Sequence, residues 1–571
     1  MTVEKLITDH IDIWSSALQT RSTAGRGSNG KIDLYGIKKL RELILELAVR
    51  GKLVPQDPND EPASELLKRI AAEKAELVKQ GKIKKQKPLP EISEEEKPFE
   101  LPVGWEWVRM DHVGHDWGQK TPGSDFTYID VGAINKELGI IAEPAIIKYK
   151  DAPSRARKIV RRNTVIYSTV RPYLLNIAVI DDDYDPEPIA STAFAIIHPW
   201  EGVSSKFIYH YLRSPIFVSY VESCQTGIAY PAINDKQFFS GVIAIPPSEE
   251  QLRIIDKVNE LMSLCDQLEQ QSLTSLGAHQ QLVETLLATL TDSQNAEELS
   301  ENWARISQHF DTLFTTEASI DALKQTILQL AVMGKLVPQD PNDKPASELL
   351  KRIEQKKAQL VKEGKIKKQK PLPLISDEEK PFELPQGWEW CRLGSVINIR
   401  AELVKPENHY DFFQVAPDII EKGTGKVLSQ RTVRESGVKG PNSRFYKNQI
   451  VYSKIRPSLS KAFIAEYDGL CSADMYPLDC FLNIGYLLKV MLSEVFLVQV
   501  RAAENRIKMP KLNIESLSNI LIPIPPENIQ SAVFSRISQM DTFCDTLKSR
   551  LQSSQQTQVH LADALTDAAL N

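Results

Sequence analysis

Residues 51–70 read GKLVPQDPNDEPASELLKRI, and residues 334–353 read GKLVPQDPNDKPASELLKRI. A single substitution, Glu61 against Lys344, separates them. The identity continues through GKIKKQKPLP at residues 81–90 and 364–373. It runs on through KPFELPVGWEW (97–107) and KPFELPQGWEW (380–390), at a constant offset of 283 residues. A repeat this long sets the architecture before any element is assigned. It divides the 571 residues into two copies, a tandem duplication with a pseudo-two-fold.

Upstream of the repeat, residues 3–20 carry Leu6, Ile7, Ile11, Ile13, Trp14 and Leu18 at mostly helical spacing. RSTAGRGSNGK (21–31) reads as a flexible basic loop. The spacing of Ile37, Leu40, Leu43, Ile44 and Leu47 predicts a helix over 34–50, ended by Gly51. Ser64 is the expected N-cap of a helix over 65–80. Residues 82–104 are Pro-rich, first basic and then acidic, and read as an extended tether whose lysines 82–87 could touch phosphates. Downstream, Ser248 with Glu250/Gln251 resembles a capping box opening a helix that runs to about residue 290. Ile255, Val258, Met262, Cys265 and Leu268 make a coiled-coil seam on it. About 40 residues make a rod of roughly 60 Å. The pattern then restarts: a helix over 296–314, a copy of the second helix over 320–333, the repeat, and a final helix. Phe534, Ile537, Met540, Cys544 and Leu547 align with Ile255, Val258, Leu261, Cys265 and Leu268 at an offset of 279.

Between helices the two copies differ. From Gly104 to Pro247, β-like runs such as FTYIDVGAI, TVIYSTV and GVIAIPP alternate with turns and short helices such as SKFIYHYLRS. The second such region ends in IPIPPENIQ (522–530). Two islands align: IYSTVRP (166–172) with VYSKIRP (451–457), and YPAIN (230–234) with MPKLN (509–513). The fold class is therefore α+β, two globular α/β domains joined by long helices. The expected divisions are 1–82, 83–103, 104–247, 248–292, 293–365, 366–386, 387–526 and 527–571. Two copies that keep their frame and change their cargo imply related tasks on different targets.

Hydrophobic residues make up 42% and charged residues 25%, the balance of a globular protein. There is no run of ~18 apolar residues and no secretory h-region. Six scattered Cys without CxxC spacing fit reduced thiols. A net charge of −6 excludes a broadly basic nucleic-acid binder but not a local basic face. GTGKV (423–427) lacks the first Gly and the Ser/Thr of a phosphate loop and reads as a plain loop. No GxGxxG, HExxH or amino-methylation tetrapeptide occurs. His112 and His115 lack a Cys/His partner pair nearby and read as a surface loop.

The basic residues inside the globular regions are the candidate contacts. SRARKIVRR (154–162) includes Arg155, Arg157, Lys158 and Arg161. Arg171 and Arg456 hold the same place in the two YSxxRP islands, with Tyr167, Tyr452 and Lys454 beside them; Arg506 and Lys508 complete the set. The guanidinium fork suits phosphate or a guanine edge. Each such Arg could equally be a surface ion-pair partner, and the shared RP turn could be structural.

Each variable domain opens with LPxGWEW and closes with IPxPP ahead of a Gln-containing helix start. This resembles the specificity (S) subunit of type I restriction-modification enzymes over essentially the whole chain. The resemblance implies two target recognition domains, each reading half of a bipartite asymmetric duplex DNA site. It implies helices paired antiparallel as a coiled-coil spacer and no active site in this chain. It further implies two docked methyltransferase (M) subunits that use S-adenosylmethionine, motor-nuclease (R) subunits using ATP and Mg, and a cytoplasmic location without membrane contact. Half-sites about one DNA turn (~34 Å) apart suit the rod. The alternatives are a coiled-coil scaffold with protein-binding ends and, further off, a lone methyltransferase.

Overall fold

The fold is given by a computed structural model that describes residues 3–21, 31–83, 88–227, 230–400, 402–504 and 510–570. The chain forms two compact units, residues 1–275 with 554–571, and residues 276–553. Each unit therefore owns a part of both long helices, Ser248–Asp292 and Glu527–Leu570.

In the first unit, helix Tyr35–Val49 buries Ile37, Leu40, Leu43, Ile44 and Leu47. It stops where Gly51 takes φ +68°, a left-handed turn that a Cβ would strain. Arg41 pairs with Asp266 and Glu269 of the long helix at 2.7 and 2.6 Å. In the second unit, helix Glu317–Val332 repeats the arrangement, with Lys324 on Asp545 at 2.7 Å. Lys52 donates to the Leu570 carbonyl at 2.6 Å, and Lys335 to the carbonyls of Thr291 and Ser293 at 2.8 Å each. Each repeat thus sets a cation on the C-terminal end of a long helix, where the helix dipole favours it. Of the seam, Ile255, Val258 and Cys265 are buried, while Met262 and Leu268 are half-buried.

Several local readings are corrected. Residues 3–20 are not one helix but Val3–Thr8 and Ile11–Ser16, because the fully buried Trp14 turns its indole N–H back to the Leu6 carbonyl (3.3 Å). Strands Gln19–Arg21 and Lys31–Asp33 follow as a pair; residues 22–30 of the expected loop lie outside the described residues. Residues 296–314 likewise split into Ala296–Gln308 and Phe310–Leu313. Ser64 is no cap: the helix is Ala63–Lys79, Pro62 presets its entry, and the Ala63 N–H is taken by the Gly104 carbonyl (2.8 Å). Ser248 donates to the Gly202 carbonyl, and Glu250 accepts from Trp105 and Gln56, so these side chains tie helix to domain rather than cap.

The tether is not a free one either. Ser93 and Glu96 form a capping box on the short turn Glu94–Glu96. Arg109, buried, grips Glu96 at 2.6 Å and the carbonyls of Pro90, Glu91 and Ser240. Arg392 does the same with Glu379, Pro373, Leu374 and Asn519. A buried guanidinium needs this many acceptors, and the backbone of the linker supplies them. Of lysines 82–87, the stretch 84–87 lies outside the described residues.

Each variable region holds two four-stranded sheets. In the first, one sheet runs Ile177–Val179, Val165–Ser168, Phe194–Pro199, Gly114–His115. The other runs Ala145–Ile147, Phe126–Ile129, Pro188–Ser191, Ala156–Ile159. In the second region the orders are Ala462–Ile464, Ile450–Ser453, Met475–Cys480, Ile397–Ile399, and Leu403–Val404, Asn442–Phe445, Gly469–Ser472, Phe413–Val415. The central strands Val165–Ser168 and Ile450–Ser453 are buried on both faces, which explains their unbroken apolar runs.

Candidate nucleic-acid interface

Strand Val165–Ser168 ends in a hydroxyl: Ser168 Oγ donates to the Val170 carbonyl at 2.9 Å, and Ser453 Oγ to that of Ile455 at 3.0 Å. That local closure throws the next residues into a turn. Arg171 and Arg456 then take the left-handed conformation, φ 49° and 45°, followed by Pro172 and Pro457 at the start of a 3-10 turn. A non-glycine residue held there costs on the order of 1–3 kcal/mol and persists only where its surroundings impose it. Backbone bonds impose it here: Arg171 N–H to the Pro231 carbonyl (2.8 Å) and Arg456 N–H to that of Pro510 (2.9 Å).

These bonds join the two islands that the divergent domains share. Val170 bridges to Ala232, and Ile455 to Lys511. The Ile233 N–H reaches the Thr169 carbonyl, and the Leu512 N–H that of Lys454, each at 2.9 Å. In both domains YSxxRP and the second island form one doubled loop at one end of the central strand, with a strained Arg at its tip.

The candidate residues distribute unevenly about it. Arg155 is exposed and stands at the same end of the first domain. Its carbonyl accepts from the Thr192 N–H, and the adjacent Ala193 carbonyl accepts from the Thr169 N–H, each at 2.9 Å. Arg157 is half-buried, its guanidinium on the Ala156 carbonyl at 3.1 Å. Arg456 is exposed, and Lys454 is half-buried on the Ala473 carbonyl at 2.7 Å.

Other candidates are corrected. Tyr167 and Tyr452 are core residues, 2% and 0% exposed, packed on Phe217 and Phe238 and on Phe496. Burial pushes both phenols well above their ordinary range, and neither is available to a duplex. Lys158 is buried and spends its charge on Asp116 (2.8 Å) and Asp235 (3.6 Å). Arg161 is exposed but precedes the strand that Arg171 follows, so the two stand at opposite ends of it; its guanidinium lies 4.1 Å from the Trp117 ring. Arg506 and Lys508 lie outside the described residues.

Of the two histidines, His112 is exposed and His115 is not. His115 sits among Trp117, His198 and Trp200, and burial, then His198, lowers its pKa to about 4. No group of three metal-ligating side chains occurs among the described residues.

The structure adds Tyr230, 69% exposed, whose ring lies 4.8 Å from the guanidinium of the half-buried Arg171, with Tyr173 and Val170 exposed alongside. In the second domain Lys511 reaches Asp474 at 3.2 Å. Tyr230 and Lys511 were within reach of sequence reasoning, because both belong to the second island. An Arg stacked on an exposed Tyr offers a planar fork and a base-stacking face together.

The family described as the type I restriction modification DNA specificity domain matches residues 385–554. The type I restriction enzyme EcoAI specificity subunit of Escherichia coli is 50% identical over 100% of both chains. This chain belongs to the type I restriction enzyme specificity subunits. The EcoEI specificity subunit of Escherichia coli is 51% identical over the same full lengths. A solved chain from a study of complex assembly and conformational transition of the type I R-M system matches at 22% identity. It covers 83% of this chain and 99% of its own length, with a TM-score of 0.51, and so shares the fold. No helix among the described residues of this specificity subunit is long and apolar enough to cross a membrane.

Proposed function

We propose that residues 104–247 and 387–526 are target recognition domains, each reading one half of a bipartite, asymmetric duplex DNA site in the cytoplasm. Arg171 with Tyr230 meets one half-site and Arg456 the other, and Arg155 supports the first. The repeated helices dock two methyltransferase subunits, which methylate adenine with S-adenosylmethionine. ATP-driven motor-nuclease subunits join through them, and this chain carries no catalytic centre of its own. The observation that carries the reading is the doubled loop. Two domains of different sequence retain the same strained Arg, imposed by the same backbone bonds. Strain kept at equivalent places in divergent domains is a mark of function. The domains otherwise differ, so the half-sites differ.

The test is to co-express the chain with its methyltransferase partner and map methylated adenines across a host genome. A split motif with unlike halves and a fixed gap is expected. A soluble complex that leaves the genome unmethylated overturns the reading.

A further inference from the structure

The end of the shared stretch also forms a groove. Residues 91–107 line an open cavity of about 750 Å³ in the first unit. Its floor is Phe99 against Trp107, ring centroids 4.9 Å apart. Glu91, Glu100 and Glu106 stand along it exposed, and among the described residues no ion pair or side-chain hydrogen bond engages their carboxylates. Glu94 is taken by Lys97 and Glu96 by Arg109. One cation is already seated at the aromatic floor, the Arg50 guanidinium 5.1 Å from the Phe99 ring.

The second unit repeats the motif. Phe382 and Trp390 lie 5.0 Å apart, Glu383 and Glu389 are exposed, and Leu374 and Asp377 replace Glu91 and Glu94. After Arg109 and Arg392 the sequences part. Ring faces carry negative potential and the carboxylates add to it, so the groove repels phosphate and suits an ammonium or guanidinium group. The recurrence of the ring pair and its flanking carboxylates in both units suits a partner present twice. We propose that the groove in the first unit, and the matching face at Phe382 and Trp390 in the second, each seat a Lys- or Arg-bearing segment of a methyltransferase subunit, one subunit for each unit of the chain. This rests on the docking reading above.

The test uses the full chain co-expressed with its methyltransferase subunit, with complex mass read by native mass spectrometry at low and at 0.5 M salt, the latter chosen as roughly a 4–5 Å screening length. The wild-type chain is expected to carry two subunits. The pair Glu100→Lys and Glu106→Lys is expected to remove one of them, and adding Glu383→Lys and Glu389→Lys to remove both, with affinity at least ~10-fold lower, or about 1.4 kcal/mol. Thermal melting of the free chain controls for folding; if reversal lowers it, the four isosteric Glu→Gln changes are read instead, with weaker binding of the same sign expected. A quadruple variant that still carries two subunits at wild-type affinity overturns the groove alone. A wild-type chain that carries none overturns the docking reading and the groove with it.

Discussion

The two variable domains share a strand order and differ at their edges. In each, a three-stranded core of one sheet has a parallel and an antiparallel neighbour about a central strand: Pro188–Ser191 between Phe126–Ile129 and Ala156–Ile159, and Gly469–Ser472 between Phe413–Val415 and Asn442–Phe445. The fourth strand joins the parallel neighbour in the first domain and the antiparallel neighbour in the second. Where one domain has a full strand, the other keeps a single bridge, Gln119–Lys158 or Phe413–Thr432.

A second difference is an exchange. Asn163 and Asn448 make the same left-handed turn, φ 67° and 65°, before the central strand. Two residues earlier stand Arg161 and Tyr446, whose N–H groups bind Thr164 and Gln449. Arg161 stacks on Trp117, and Arg400 stacks on Tyr446 at 4.8 Å. The cation–ring pair persists with its partners reversed. Beneath it, His115 and His198 face each other across one pair of strands, and Asn398 and Asp479 across the other. Backbone and pair geometry are thus retained where side-chain identity is not, which is why an alignment loses these positions.

The comparison can be broken first at the shared core. Tyr452→Ala should cost about 3–5 kcal/mol by denaturant melting, and Tyr167→Ala a similar amount. Tyr452→Phe should be neutral or slightly stabilising, within about 1 kcal/mol, because the Tyr452 hydroxyl is buried without a hydrogen-bond partner. A large loss from Tyr452→Phe would contradict that packing.

Between pH 4 and the ordinary imidazole range, the buried histidines should make the first domain the more acid-sensitive of the two. Folded His115 has its pKa lowered to about 4, so between pH 4 and the ordinary imidazole range the unfolded chain binds a proton that the folded chain refuses. Stability is therefore present above that range and lost as pH falls through it, by up to about 3 kcal/mol at a single site. His198 acts in the same direction, while Asp116 opposes the shift. Calorimetry should show the first unit's transition falling on acidification; His115→Asn, which copies Asn398, should reduce that slope by the share of one site, with His198 and the buried His210 supplying the rest. Equal slopes in both units would remove the histidines as the cause.

Arg171→Ala should weaken reading of one half-site by ~1–3 kcal/mol, and Arg456→Ala the other, as measured by methylation of single-base variants. A uniform loss with a smaller salt slope would make the residue a phosphate contact instead. The smallest effect is expected from the exchanged pair. Trp117→Arg alone sets two cations together, and adding Arg161→Tyr should restore about 0.5–1 kcal/mol in a double-mutant cycle.

Much of the frame was legible because it is local. The apolar stripe of Ile37, Leu40, Leu43, Ile44 and Leu47 reports a helix face directly, and the repeat reports its duplicate. The candidate site was legible in part. Arg171, Arg456 and the two islands are visible in the sequence, yet Tyr167 and Tyr452 beside them are core residues, and adjacency along a strand says nothing about which face is covered. The burial of Lys158 is hidden for the same reason, its partners Asp116 and Asp235 being distant in sequence.

The order of residues alone establishes the duplication, the long helices, the two unlike domains and the family they resemble, since periodicity and repetition are written in neighbouring residues. Which cations reach solvent, how the islands close into one loop, and that a cation–ring pair survives with its partners reversed are settled only when the chain folds. Strand pairing and burial bring together residues far apart in the chain, and no local pattern records that meeting.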